Sequence, residues 1–138
     1  MKSSYVLDAC ALIAALTNEE GAGIVKDIFE KAADSEANVY MNKLNLLEVY
    51  YTIRRQYGAI AADHLLNEIE KSPVIIKANL ADDVFKEAGK PKATYKISLA
   101  DSIALAEASV SGGTLGTSDH HEFDVIENSE NIEFLWIR

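Results

Sequence analysis

The sequence contains little cysteine, little proline and no long apolar segment. Its 138 residues include one cysteine and two prolines. A single cysteine excludes an internal disulfide framework and is compatible with a reducing compartment. No apolar run approaches the roughly 18 residues that a membrane span requires. The apolar N-terminal stretch is interrupted by Asp8 and has no clear signal-peptide cleavage region. We therefore expect a cytoplasmic protein with no membrane segment.

Positive charge is also scarce. The chain has 13 Lys and Arg residues against 22 Asp and Glu residues, which gives a net charge of −9. Domains that hold nucleic acid by bulk electrostatics are usually basic, so a nucleic-acid function here would require local positive patches or metal ions. The charge is uneven, because residues 118–133 carry six acids and no Lys or Arg, whereas residues 86–96 carry four lysines and one acid.

The residues that are present fit one globular domain spanning residues 1–138, since 49% of them are hydrophobic. Short β-prone runs alternate with helical periodicity. This alternation predicts an α/β fold with a mainly parallel five-stranded sheet covered by helices on both faces. The predicted strands are 4–7, 38–41, 73–76, 114–117 and 132–137. The predicted helices are 9–16, 24–33, 44–57, 60–69, 80–89, 99–110 and a short 120–123, with a lysine-rich loop over 90–97.

Four acids occur in apolar surroundings, and each has a local explanation. Asp8 directly follows the first strand and is suited to cap the next helix. Glu48 lies in the apolar segment LNLLEVYY and has the alternative of pointing to water. Asp101, near the start of SLADSIALAEA, matches a capping box with Ser98. Asp119 follows the fourth strand and is suited to cap a short helix, with an acid three residues later.

Taken together, the four acids predict one site. Two of them follow strands, and two lie on helices that can flank the carboxyl edge of the sheet, where ligands of open α/β sheets bind. Converging carboxylates repel one another unless protons or a cation neutralise them. Mg²⁺ prefers carboxylate and water oxygens and keeps waters for substrate phosphate. Such a site can activate a water molecule and stabilise charge on a phosphodiester.

The segments VLDACALIAAL, LNLLEVYY, SLADSIALA and LGTSDHHEF resemble, in order and spacing, the four acidic motifs of PIN-domain ribonucleases, and most of all VapC-type toxins of toxin–antitoxin pairs. The resemblance implies a PIN-like three-layer α/β/α fold. It implies that Asp8, Glu48, Asp101 and Asp119 are catalytic metal-site residues, and that Thr117 orients the last acid or a water. Mg²⁺ or Mn²⁺, an RNA substrate, a homodimer and a cognate antitoxin are also implied.

The expected function is therefore that of a divalent-metal-dependent endoribonuclease, the toxin of a type II toxin–antitoxin system. A catalytically inactive PIN-like scaffold that acts through protein binding is the alternative. Asn42 departs from the pattern, because many relatives carry Ser or Thr there. Of the adjacent histidines His120 and His121, neither has the further His or Cys partners that soft-metal ligation needs. His121 is expected to contact RNA or to lie on the surface.

The lysine-rich segment comes just before the helix that carries Asp101. Lys90, Lys92 and Lys96 are its candidate RNA-binding residues, because lysines there can contact phosphates. A solvated loop is the alternative explanation of the same charges.

Overall fold

The structure is a computed structural model that describes residues 2–138, and within them the chain forms five strands and seven helices. In chain order these are β1 (Ser3–Leu7), α1 (Ala9–Leu16), α2 (Ala22–Ala33), β2 (Ala37–Asn42), α3 (Lys43–Tyr57), α4 (Ala59–Lys71), β3 (Ile75–Lys77), α5 (Asp82–Thr94), α6 (Leu99–Ser111), β4 (Thr114–Thr117), α7 (His120–Ser129) and β5 (Glu133–Trp136).

The five strands form one sheet in the order β3-β2-β1-β4-β5, and every neighbouring pair is parallel. This confirms the predicted parallel sheet. The chain builds outward from β1 to β3 and then returns to the other side of β1 for β4 and β5. The strand order therefore reverses between β1 and β4, and ligands of such sheets bind at the carboxyl ends of the strands beside this reversal.

Helices cover both faces of the sheet, which confirms the three-layer α/β/α architecture. Because successive strand residues point to opposite faces, Leu7 packs in one core and Val6 in the other. The first core receives residues of α1, α2, α3 and α4. The second receives residues of α6 and α7, and α5 packs on the outer side of α6 through Val84 and Ala88. No helix within residues 2–138 is long and apolar enough to cross a membrane.

The predicted loop over residues 90–97 is wrong in its first half, because α5 continues to Thr94. Proline removes a backbone donor and normally interrupts a helix. Here Pro91 is buried, and the helix end keeps its acceptors occupied. The Thr94 hydroxyl donates to the Lys90 carbonyl at 2.9 Å, and the Tyr95 N–H donates to the Pro91 carbonyl at 2.8 Å. Lys90 therefore lies on a helix rather than in a loop.

The helix predicted over residues 120–123 is too short, since α7 runs from His120 to Ser129. Its sequence is rich in acids but also contains an apolar stripe. Phe123 and Ile126 are both fully buried, and their three-residue spacing places them on the same helix face. Burial of this stripe against the sheet stabilises α7, whose other side carries three acids together with histidines and other residues.

Candidate active site

Asp8 lies at the carboxyl end of β1 and is completely buried. Its Oδ1 accepts a hydrogen bond from the Ala11 N–H at 2.9 Å, so the predicted cap of α1 is confirmed. The other oxygen, Oδ2, accepts from the Thr117 hydroxyl. Burial raises the Asp8 pKa to about 7, repulsion by Asp119 and Glu48 adds to the shift, and the two hydrogen bonds oppose it. Capping alone does not require a carboxylate to be buried beside other carboxylates.

Thr117 connects two of the predicted acids. Its buried hydroxyl donates to Asp8 and accepts from the Asp119 N–H at 3.0 Å. Since Thr117 ends β4 and Asp8 follows β1, this hydroxyl joins the two strands at the point where the strand order reverses. Thr117 is therefore placed to position both Asp8 and Asp119.

Asp101 takes part in only half of the predicted capping box. Its N–H donates to the Ser98 hydroxyl at 3.1 Å, which caps α6. The Ser98 N–H, however, donates at 3.3 Å to Glu122 on α7 and not to the Asp101 carboxylate. The capping box is completed across two helices, so α6 is capped without use of the Asp101 carboxylate. The Asp101 pKa is raised to about 8, mainly by burial and also by the charges of Asp8 and Asp119.

Asp119 and Glu122 belong to the same cluster as Asp101. Asp119 caps α7 by accepting from the Glu122 N–H at 3.2 Å. Asp101, Asp119 and Glu122 each offer one carboxylate oxygen, and these oxygens lie within 4.8 Å of one another. Glu122 is a site residue that the sequence analysis missed. Its signal was present, three residues after Asp119, but it was assigned only to a local capping box.

Glu48 is half-buried on α3 and faces the cluster. Burial raises its pKa, and the charges of Asp119 and Glu122 raise it further. The alternative that Glu48 simply points to water therefore does not describe its surroundings. Among the predicted acids, it is the one whose orientation depends on how α3 packs against α6.

Two buried asparagines fix that packing. The Asn45 side-chain amide donates to the Ala100 carbonyl at 2.9 Å, next to Asp101. The Asn42 amide donates at 2.8 Å to Glu107, a buried acid of α6. The Asn42 Oδ1 also accepts from the N–H at position 44 and caps α3. Asn42, which departs from the family pattern, therefore caps α3 and also holds it against α6.

The Cys10 thiol lies close enough to the cluster to be affected by its charges. Burial raises the pKa of its half-buried thiol to about 12, and the charges of Asp8, Asp119, Asp101 and Glu48 each contribute to the increase. The four predicted acids therefore act on one neighbouring group. The thiol stays protonated at physiological pH, so Cys10 is not a nucleophile.

The three predicted RNA-binding lysines lie outside this cluster. Lys90 forms an ion pair with Glu87 at 2.6 Å. Lys92 donates to the Ile97 carbonyl at 2.8 Å, in the segment that leads into α6. Lys96 is exposed between α5 and α6. None of the three contacts a cluster carboxylate in residues 2–138.

The chemistry of the donor set fits a hard divalent cation. Five carboxylates meet at one edge of the sheet, and within residues 2–138 no Lys or Arg forms an ion pair with any of them. Burial first, and then their mutual repulsion, raises the pKa values of Asp8, Asp101 and Glu48. Carboxylate oxygens at this density suit Mg²⁺ or Mn²⁺ rather than a metal that prefers nitrogen or sulfur.

The PIN domain family model matches residues 5–128, so the chain belongs to the PIN domain family. No curated protein sequence matches it significantly.

The fold is similar to those of several toxin–antitoxin proteins. Its similarity to the DNA-bound VapBC structure from Salmonella typhimurium has a TM-score of 0.73, with 14% identity over 100% of both chains. For a toxin–antitoxin complex from Klebsiella pneumoniae the TM-score is 0.68, with 16% identity over 97% of this chain and 98% of that one. VapC20 of Mycobacterium tuberculosis, described as a sarcin–ricin loop cleaving toxin, gives 0.62 and 16% identity over 80% of this chain and 86% of that one.

Proposed function

We propose that this protein is a divalent-metal-dependent endoribonuclease and the toxin of a type II toxin–antitoxin pair. The observation that carries the proposal is the convergence of carboxylates, without a compensating cationic side chain in residues 2–138, where β1 and β4 end. A scaffold that acts only by binding other proteins gains nothing from burying Asp8 beside other acids, because such burial reduces stability. Membership of the PIN domain family supports the same activity.

Each residue has a specific role in this proposal. Asp101, Asp119 and Glu122 would hold Mg²⁺ or Mn²⁺ directly, since their oxygens are already close together. Asp8 and Glu48 complete the negative site that attracts the ion. When bound, the metal would supply charge stabilisation and water activation at the scissile phosphodiester. No protein nucleophile is then needed, which agrees with the inert Cys10 thiol.

The similar structures support a proposal about partners. Solved relatives include VapBC complexes, so we propose a cognate antitoxin as a partner of this chain. We also propose that it acts in the cytoplasm as a homodimer. Lys92 and Lys96, near the start of α6, are proposed to contact RNA phosphates together with Lys90.

RNA cleavage with matched variants tests the proposed function. Wild-type protein should cut single-stranded RNA in Mg²⁺ or Mn²⁺ and stop when EDTA is added. Asp101→Asn should keep its fold and lose cleavage. Asp27→Asn, which changes an exposed acid on α2, is the matched control and should cleave like wild type. Full activity of wild type in EDTA, or of Asp101→Asn in Mn²⁺, would contradict the proposal.

A further inference from the structure

Three aromatic rings form a continuous stack at the end of β5. The Phe134 and Trp136 rings have centroids 5.4 Å apart and planes 12° apart. The Trp136 and His120 rings are closer, at 3.9 Å and 10°. The stack begins against the core beneath α7 and ends at the imidazole of His120.

The rings of His120 and Trp136 are held by hydrogen bonds at their edges. The His120 Nδ1 lies 2.8 Å from the Asp124 carboxylate, and its Nε2 lies 2.8 Å from the Arg138 main-chain oxygen, both within hydrogen-bonding distance. The Trp136 indole N–H donates to Glu127 at 2.8 Å. Trp136 covers one face of the imidazole, and both ring nitrogens have acceptors. Half of the His120 side chain is still exposed, and this exposed surface includes the face opposite Trp136.

His120 is connected to the carboxylate cluster through both the sheet and the chain. Trp136 pairs in register with Thr117 on the neighbouring parallel strand. Residues in register on parallel strands point to the same face and lie about 4.8 Å apart. His120, in turn, directly follows Asp119 in the chain. The ring stack therefore ends one strand away from Thr117, at the same edge of the sheet.

We propose that the outer face of His120 is a subsite on which an unpaired nucleobase of the RNA stacks. The proposal rests on the proposed ribonuclease function and identifies where a nucleotide near the cleaved phosphodiester is held. Nucleobases stack on aromatic side chains whatever their sequence. Stacking requires no positive charge, so it suits a chain with a net charge of −9. Asp124 and Glu127, the acids beside His120 and Trp136, are already engaged by hydrogen bonds to these two rings.

The neighbouring histidine provides a matched control. His121 is exposed, and no stacking contact of its ring is found among residues 2–138. His121→Ala therefore removes the same side chain one position away and leaves the ring stack intact. His120→Phe keeps an aromatic face but removes the ring nitrogens, which separates stacking from hydrogen bonding.

The test measures binding of a labelled, phosphorothioate-linked RNA hexanucleotide in Mg²⁺, and of the same oligomer without bases. Alanine substitution of a base-stacking side chain lowers affinity by about 5- to 150-fold. We expect a loss in this range for His120→Ala, near wild-type affinity for His120→Phe and His121→Ala, and equal binding of the abasic oligomer by all four proteins. The intact oligomer should also quench the fluorescence of Trp136, the single tryptophan of the chain.

Two results would overturn the subsite. One is equal affinity of wild-type protein for the intact and abasic oligomers, a comparison that does not depend on the folding of any variant. The other is unchanged binding in a folded His120→Ala, which would leave the ring stack only the role of attaching β5 to α7. If cleavage persists in either case, the ribonuclease proposal stands without this subsite. If wild type neither binds nor cleaves RNA, both proposals fail.

Discussion

Replacing Asp8 by asparagine should stabilise the metal-free protein and weaken metal binding. Asparagine has nearly the same shape, so its oxygen can still accept from the Ala11 N–H. The Thr117 hydroxyl, which donates to the other carboxylate oxygen in wild type, can accept from the new amide instead. What disappears is a buried negative charge beside other negative charges. An ordinary destabilising core mutation would have the opposite sign.

The size of the gain follows from the Asp8 pKa, which burial raises from 3.8 to about 7. At 1.36 kcal/mol per pKa unit, the ionised carboxylate costs on the order of 4 kcal/mol in the folded state. Rearranging one hydrogen bond offsets about 1 kcal/mol of that gain. We expect a net gain of roughly 3 kcal/mol at pH 8, which for a chain of this size is a rise of about 10 °C in Tm.

The gain should depend on pH with a defined sign. Between about pH 4 and pH 8 the folded wild type binds more protons than the unfolded chain, because the pKa values of Asp8 and Asp101 are raised. Wild-type stability therefore falls as pH rises through this window. Below about pH 4, Asp8 is protonated in both states and the advantage of Asp8→Asn disappears.

Thermal and urea denaturation in EDTA from pH 4 to pH 8, for wild type and Asp8→Asn, measure this difference. A parallel Mn²⁺ titration at pH 8 should raise the Tm of wild type more than that of Asp8→Asn. The prediction is wrong if Asp8→Asn is less stable than wild type at pH 8, or if the stability difference between the two proteins does not change with pH.

Two further predictions concern single side chains. Thr117→Val should cost about 1–3 kcal/mol, because it leaves an Asp8 oxygen without its buried donor, and it should weaken Mn²⁺ binding about 10- to 100-fold. Thr117→Ser should restore both properties. If urea denaturation and calorimetry show equal losses for Thr117→Val and Thr117→Ser, the Thr117 hydroxyl is not the group responsible. Lys96→Glu should weaken RNA binding and reduce the slope of log affinity against log salt by about 0.7. Lys90→Glu, at a lysine already ion-paired on its own helix, should have the smaller effect, and an unchanged slope for both would favour a solvated surface.

The parts of the site that follow strands were predictable from the sequence. Asp8 comes directly after a short β-prone run and Asp119 one residue beyond another, and parallel strands bring their carboxyl ends to one edge. That inference needs only strand periodicity and the alternation of strands with helices. The carboxyl-edge location of both residues is what the structure shows.

Contacts between helices were not predictable in the same way. The orientation of Glu48 depends on Asn45 contacting the Ala100 carbonyl, a pairing 55 residues apart. Glu122 was missed because its spacing from Asp119 matches a capping box, while its carboxylate actually receives the Ser98 N–H from another helix. Sequence spacing identifies a cap but does not show which carboxylate completes it.

The boundary of α5 failed for a related reason. Gly89 and Pro91 are both weak helix residues, and their combination predicts an end. Packing overrides this preference, since Pro91 is buried and the Thr94 hydroxyl occupies the carbonyl of Lys90. The predicted RNA-binding lysines consequently divide between a helix and the loop that follows it.

Calorimetric titration of Mn²⁺ into metal-free protein at pH 8 shows whether the clustered carboxylates bind a divalent metal ion. We expect saturable binding by wild type with release of protons, because the raised pKa values of Asp8 and Asp101 leave these groups partly protonated until the metal binds. Asp27→Asn should bind Mn²⁺ like wild type, and Asp101→Asn should bind it at least tenfold more weakly. Absence of binding by wild type, or equal binding by Asp101→Asn, would contradict the claim that these carboxylates form a metal site.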